Sequence, residues 1–140
     1  MQSLIRLREG AINARTACSH RLRGLLGEQG LVRAKSLRAL RRALPEILED
    51  ASNGLTEVFR RLLNRERRHL LELDAHIDTL TAELTALSKQ DDRVIRLQTA
   101  PGYGPIVASV FASVMGDGSQ YRRGREASAS IGLVPRQHSS

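Results

Sequence analysis

Between Leu55 and Lys89, the residues Phe59, Leu63, Leu70, Leu73, Ile77, Leu80, Leu84 and Leu87 recur at alternating steps of four and three, with Glu66 in the one place the series skips. A strand turns its side chains over every second residue and could not keep such a series on one face, whereas a helix can. The alternation is a heptad seam sustained over about four repeats. At about 1.5 Å per residue the helix is about 50 Å long, and its apolar stripe must be covered by a partner. The chain supplies one. From Ser3 to Gln29, Leu4, Leu7, Ala11, Ala14, Cys18, Leu22 and Leu25 mark a second helical stripe, with Gly30 placed to cap its C-terminus. The expected arrangement is this first helix folded back antiparallel on the long one. A parallel homodimer through the seam satisfies the same spacing.

Between the two, a short helix is expected from Ala34 to Ala43. It should break before Pro45, because the ring disfavours helical backbone at the preceding residue. "PEILED" then restarts a turn with Pro45 in the favoured first position, and "ASNG" reads as a linker. The polar run from Ser88 to Arg93 marks a boundary. The expected fold is therefore all-α: long antiparallel coiled-coil helices over residues 1–90, then a small helix-hairpin-helix domain over residues 91–140.

Composition narrows the class. With two Phe, two Tyr and no Trp, aliphatic residues must build the core, which suits helix-on-helix packing. One cysteine excludes an internal disulfide and a cysteine-based zinc cluster. Cys18, on the apolar stripe, reads as a small core residue. No apolar run is long enough to span a bilayer, and the N-terminus lacks the apolar segment of a secretory signal. A cytoplasmic setting without membrane contact is expected. Lys plus Arg is 22 against 15 acids, and every cation except Lys35 and Lys89 is arginine. A net +7 carried on forked guanidinium groups favours a polyanionic partner.

The chemistry concentrates in "LQTAPGYGPIVASVF", Leu97–Phe111. A helix from Asp91 to Leu97 leads in, and an apolar helix from Ile106 to Met115 leads out. Leu-x-x-x-Pro-Gly-Tyr-Gly-Pro-x-x-Ala resembles a helix-hairpin-helix motif, a nonspecific DNA-binding element. Gly102 and Gly104 allow a tight turn and close approach of a phosphate. The turn would present the free amides that open the next helix. Pro105 suits a first helical position, and Ala108 a close helix crossing. Tyr103 either packs or points at the ligand. Arg122, Arg123 and Arg125 follow closely and are the next candidates for phosphate contacts.

"LQTAPGYGPIVASVFASVMGD" followed by "YRRGREASASIGLVPRQHSS" resembles the C-terminal domain of insertion-sequence 110 type transposases, the DEDD/serine recombinases guided by a bridge RNA. The helices before it resemble that family's coiled-coil region. The most specific parts are Pro101–Gly104 with Gly116–Asp117, and Gly132–Arg136 followed by Ser139–Ser140. The resemblance implies DNA transposition, a DNA partner, a guide RNA and Mg2+ in the intact family. It implies a serine nucleophile at Ser140, with Ser139 as second choice, and DNA contact by Gly102, Tyr103, Gly104 and the arginines through Arg136. His138 is a candidate proton acceptor, although a plain loop residue fits as well. The family's four metal-binding carboxylates have no match here, so no metal ligand and no cofactor are assigned to these 140 residues. The expectation is a truncated transposase, inactive alone. A non-enzymatic helix-hairpin-helix module and a coiled-coil interaction protein are the alternatives.

Two clusters stay open. Glu66, His69, Glu72 and His76 have the look of a one-helix metal site, but such sites need matching ligands from other helices. An ion-pair face is the simpler reading. Arg60, Arg61, Arg65, Arg67 and Arg68 could track a nucleic-acid backbone, or form an exposed face paired with Glu57 and Glu72.

Overall fold

The computed structural model describes residues 1–31 and 35–115. Its elements are α1 (Gln2–Glu28), α2 (Leu37–Glu49), α3 (Glu57–Ser88), α4 (Asp92–Gln98) and α5 (Pro105–Met115), with no strand among the described residues. The all-α expectation holds. Two compact units divide the chain, one of residues 9–78 and one of residues 1–8 with the stretch from Thr79 onward.

In the first unit, Cys18, Leu22 and Leu26 of α1, Leu40, Leu44 and Ile47 of α2, and Leu63 and Leu70 of α3 form one buried core. Within this unit α1 and α3 run antiparallel: Arg15 meets Asp74, while Cys18 and Arg21, further along α1, meet Glu66, further back along α3. Local signals set the ends. Gly30 has φ of 67°, its amide donates to Gly27 O at 3.1 Å, and Leu31 N donates to Leu26 O at 2.9 Å. This pair of bonds is a Schellman stop, and Leu31 packs on the core it closes. Ser36 caps α2 by accepting from Ala39 N at 3.1 Å, and Thr56 does the same for α3 through Phe59 N at 3.1 Å.

The expected break at Pro45 is absent, because α2 continues through it to Glu49. The proline removes one backbone bond and crowds the carbonyl of Arg41. Burial of Leu40, Leu44 and Ile47 on a single face offsets that loss. The far end of α2 is held by a side chain from α3. The Arg60 guanidinium donates to Leu48 O at 3.1 Å, Asp50 O at 2.8 Å, and also to Asn53 Oδ1. A cation thus meets carbonyls that the helix itself leaves unpaired.

The seam of α3 is where the spacing placed it for most of its length. Leu63, Leu70, Ile77, Leu80 and Leu84 are buried, with Phe59 and Leu73 partly so. At its end Leu87 is 37% exposed and Ser88, at 1%, takes the inward place. A straight helix of 3.6 residues per turn drifts against a strict heptad, and a second step of four corrects it. The stripe of α1 needs a larger correction. Leu7 is 59% exposed and Ala14 is exposed, while Arg8 and Arg15 beside them turn toward α3. Arg8 Nε donates to Thr81 Oγ1 at 2.8 Å and Arg15 Nη1 to Asp74 Oδ1 at 3.2 Å. An arginine stem covers apolar surface while its head finds an acceptor, so a hydrophobic count passes over it.

Candidate nucleic-acid interface

In the second unit, α4 and α5 cross around Val94, Ala108 and Ala112, with Met1, Leu97 and Tyr103 packed against them. Ala108 is fully buried, so its small side chain sits where the two helices approach. Asp91 opens α4 by accepting from Arg93 N at 2.9 Å, and its carboxylate also binds the Arg93 guanidinium at 3.0 Å. That hydrogen bond holds the Asp91 carboxyl below the usual aspartate range.

The connection follows from its residues. Tyr103 N donates to Ala100 O at 3.3 Å, closing a turn with Pro101 and Gly102 at its centre. Gly102 has φ of 84°, the backbone that a type II turn requires after a proline. Gly104 is different, because its φ lies outside the positive range. Its carbonyl accepts from Ala108 N at 3.0 Å, which makes it the N-cap of α5, with Pro105 first in the helix. A Cβ built on Gly104 would meet nothing within 4 Å. Neither backbone strain nor crowding among the described residues therefore demands glycine there. The amides of Ile106 and Val107 point out of the helix start without an intrahelical acceptor, and no other described residue accepts from them.

Tyr103 packs. Its ring meets Phe111 edge-on, with centroids 5.7 Å apart and planes at 85°. Its role in the geometry is to brace the turn against α5. Ser109, fully buried, donates to Pro105 O at 2.6 Å and so stays within its own helix. Of the other residues singled out above, Gly116, Asp117, Arg122, Arg123, Arg125, Arg136, His138, Ser139 and Ser140 lie outside the described residues.

The four-carboxylate magnesium site that the resemblance implies finds no counterpart among the described residues, where no three His, Cys, Asp or Glu side chains converge on one point. Asp74 is committed to Arg15 and Arg41, Asp91 to the start of α4, and Glu66 to Cys18 and Arg21. No described helix is long and apolar enough to cross a membrane.

Residues 95–140, from within α4 onward, match the sequence profile described as "Transposase IS116/IS110/IS902 family". The full chain is 43% identical to the "Transposase for insertion sequence element IS1111A" of Coxiella burnetii, over 141 aligned positions covering 100% of this chain. By sequence, the chain is similar to transposases of the IS116/IS110/IS902 family. A "Probable family 20 transposase" of Pseudomonas aeruginosa is 40% identical, and the "Transposase for insertion sequence element IS1328" of Yersinia enterocolitica is 33% identical, each over 100% of this chain. This chain spans 38%, 42% and 41% of the lengths of those three relatives. No solved structure matches it significantly. The matched stretch contains the whole turn and all of α5. The α1–α3 region aligns with the same relatives although it lies outside the profile.

Proposed function

We propose that the chain is the helical, DNA-contacting part of an insertion-sequence transposase, and that Pro101–Gly104 with the start of α5 is a helix-hairpin-helix that holds a DNA phosphate without reading sequence. The observation that carries this reading is Gly104. A glycine that neither strain nor crowding requires stands beside the unpartnered amides of Ile106 and Val107. A phosphate oxygen could reach those amides over Gly104, favoured by the positive end of the α5 dipole. Tyr103 positions the turn, and Arg122, Arg123, Arg125 and Arg136 are proposed to contact neighbouring phosphates.

Ser140 is proposed as the family's nucleophile, with Ser139 as the alternative. Its Oγ would attack phosphorus, forming a serine phosphoester as one deoxyribose oxygen leaves. A serine hydroxyl needs activation to do this, and the described residues hold no cluster that fits the family's Mg2+. The 140 residues alone are therefore proposed to be inactive in strand cleavage. A guide RNA is a further proposal from the resemblance, and a homo-oligomer through the coiled-coil seam of α3 is one from its heptad spacing.

The deciding test is duplex-DNA binding by fluorescence anisotropy across a salt series. Affinity should fall steeply with salt through counterion release. Gly104→Asp, which places a carboxylate where the phosphate would approach, should weaken binding while circular dichroism stays unchanged. Undiminished affinity in a folded Gly104→Asp protein would refute the hairpin reading. For the serine, fusion to the remaining segments of a full-length relative with its guide RNA should give a protein–DNA adduct that Ser140→Ala abolishes and Ser139→Ala leaves. An adduct that survives Ser140→Ala would overturn that assignment.

A further inference from the structure

The arginines of the first unit divide into two groups. Arg15 and Arg41 bind Asp74, Arg21 pairs with Glu66 at 3.6 Å, and Arg60 holds the end of α2. Arg61, Arg65 and Arg68 do none of this. All three are exposed, and among the described residues none has an ion-pair or hydrogen-bond partner. Their spacing of four and three puts them on one face of α3 within two turns. Glu57 and Glu72 lie on the same face, each one turn beyond an end and at the spacing for pairing with Arg61 and Arg68. Neither forms an ion pair among the described residues. Three like charges on one short stripe repel, so an external counter-charge is favoured there.

We propose that Arg61, Arg65 and Arg68 form a second DNA-docking surface, on α3, for the sugar-phosphate backbone of duplex DNA. The stripe is about 10 Å long. One DNA strand presents a phosphate about every 3.4 Å of duplex axis, and its neighbours lie further apart along the winding strand, so the stripe can meet about two to three phosphates. Each guanidinium offers a planar fork that grips two phosphate oxygens, which a lysine cannot do. The stripe lies on a rigid helix whose opposite side is pinned by buried Leu63 and Leu70, so its three heads are held in order. It belongs to the unit of residues 9–78, whereas the hairpin belongs to the other. The surface is therefore independent of the hairpin reading.

The test compares salt slopes for a 30-base-pair DNA bound by the whole chain. The variant R61Q/R65Q/R68Q keeps helix propensity at exposed positions and should keep the wild-type circular dichroism. Its log–log salt slope should be shallower by roughly two to three, about 0.9 for each phosphate that is no longer neutralised. Arg65→Gln alone should remove roughly one, and serves if the triple variant folds poorly. A control of equal charge, R6Q/R38Q/R42Q, also at exposed positions, should change the slope less. An equal change in the control would overturn the proposal, as would an unchanged slope in R61Q/R65Q/R68Q or a wild-type chain that fails to bind DNA at low salt. Tighter binding of a matched RNA duplex, abolished in R61Q/R65Q/R68Q, would overturn the choice of DNA. If Gly104→Asp binds normally while the stripe variant does not, the hairpin reading fails and this one stands.

Discussion

Arg41 of α2 forks onto Asp74 of α3, with Nε donating to Oδ2 at 2.9 Å and Nη2 to Oδ1. Arg15 of α1 adds a third bond to Oδ1 at 3.2 Å, so one carboxylate joins three helices. The group is only partly exposed, at 20% for Asp74 and 35% for Arg41, and charge-assisted bonds there outweigh a surface pair. Asp74→Ala should lower unfolding free energy by about 1–2 kcal/mol in a urea melt. A double-mutant cycle should give stronger coupling for Arg41–Asp74 than for Arg15–Asp74. Equal or absent coupling would show that the fork contributes nothing special.

Pro45 leaves Arg41 O without its helical donor. Pro45→Ala restores that donor and removes the ring clash, at the expense of a looser unfolded chain. The net expectation is stabilisation by about 1 kcal/mol or more, read as a raised Tm. A lowered Tm would mean that Pro45's restriction of the unfolded chain outweighs the helical bond it removes.

Gly102 and Gly104 should separate cleanly on substitution by alanine. At φ of 84° an alanine at 102 is strained, and the loss should be about 1–2 kcal/mol. Gly104→Ala, with ordinary φ and open space, should cost only the poorer N-cap, about 0.5 kcal/mol. Equal losses in thermal melts would contradict the backbone described for the turn.

Cys18 is fully buried, and its thiol donates toward Glu66 Oε2 at 3.7 Å. Burial, then the charge and hydrogen bond of Glu66, push its pKa up, which disfavours the thiolate. Labelling by a disulfide reagent at pH 8 should run more than about a hundredfold slower than in denaturant. Fast labelling of the folded chain would mean that α1 opens locally.

Asp91 supplies a small acid-sensitive element. Its hydrogen bond from Arg93 lowers the folded pKa below the unfolded value of about 3.9. The stabilisation is therefore complete above that value and is lost as pH falls through the folded pKa. Asp91→Asn keeps a capping side chain but cannot titrate, so helicity lost by the wild type as pH falls below about 4 should be reduced in the variant. Matching acid titrations by circular dichroism would rule out Asp91 as the source.

The helices were legible where periodicity and punctuation agreed. Leu63 to Leu84 gave the inner face of α3, Gly30 the end of α1, and Asp91 through Pro105 the bounds of α4 and the turn. The failures share one physical cause, in that local rules carry no knowledge of what lies opposite. Arg8 and Arg15 look like surface residues until Thr81 and Asp74 face them. Pro45 looks like a breaker until Leu44 and Ile47 have a core to enter. Arg60 looks like one of five clustered arginines, and only the carbonyls ending α2 distinguish it. At the hairpin, residue type implied positive φ at Gly102 but could not show that Gly104 lacks it.

The Arg60 clasp has a consequence for the loop from Asp50 to Thr56. Its guanidinium holds Leu48 and Asp50 on one side and Asn53 on the other, while its own backbone amide is tied to Thr56 O at 3.0 Å. The two banks of the loop are thus stitched together by something other than the chain that runs between them. A single peptide cleavage at Ser52 would leave both banks in place. That makes this loop the natural site for inserting a foreign segment, where the chain can be opened without unravelling the helices it joins.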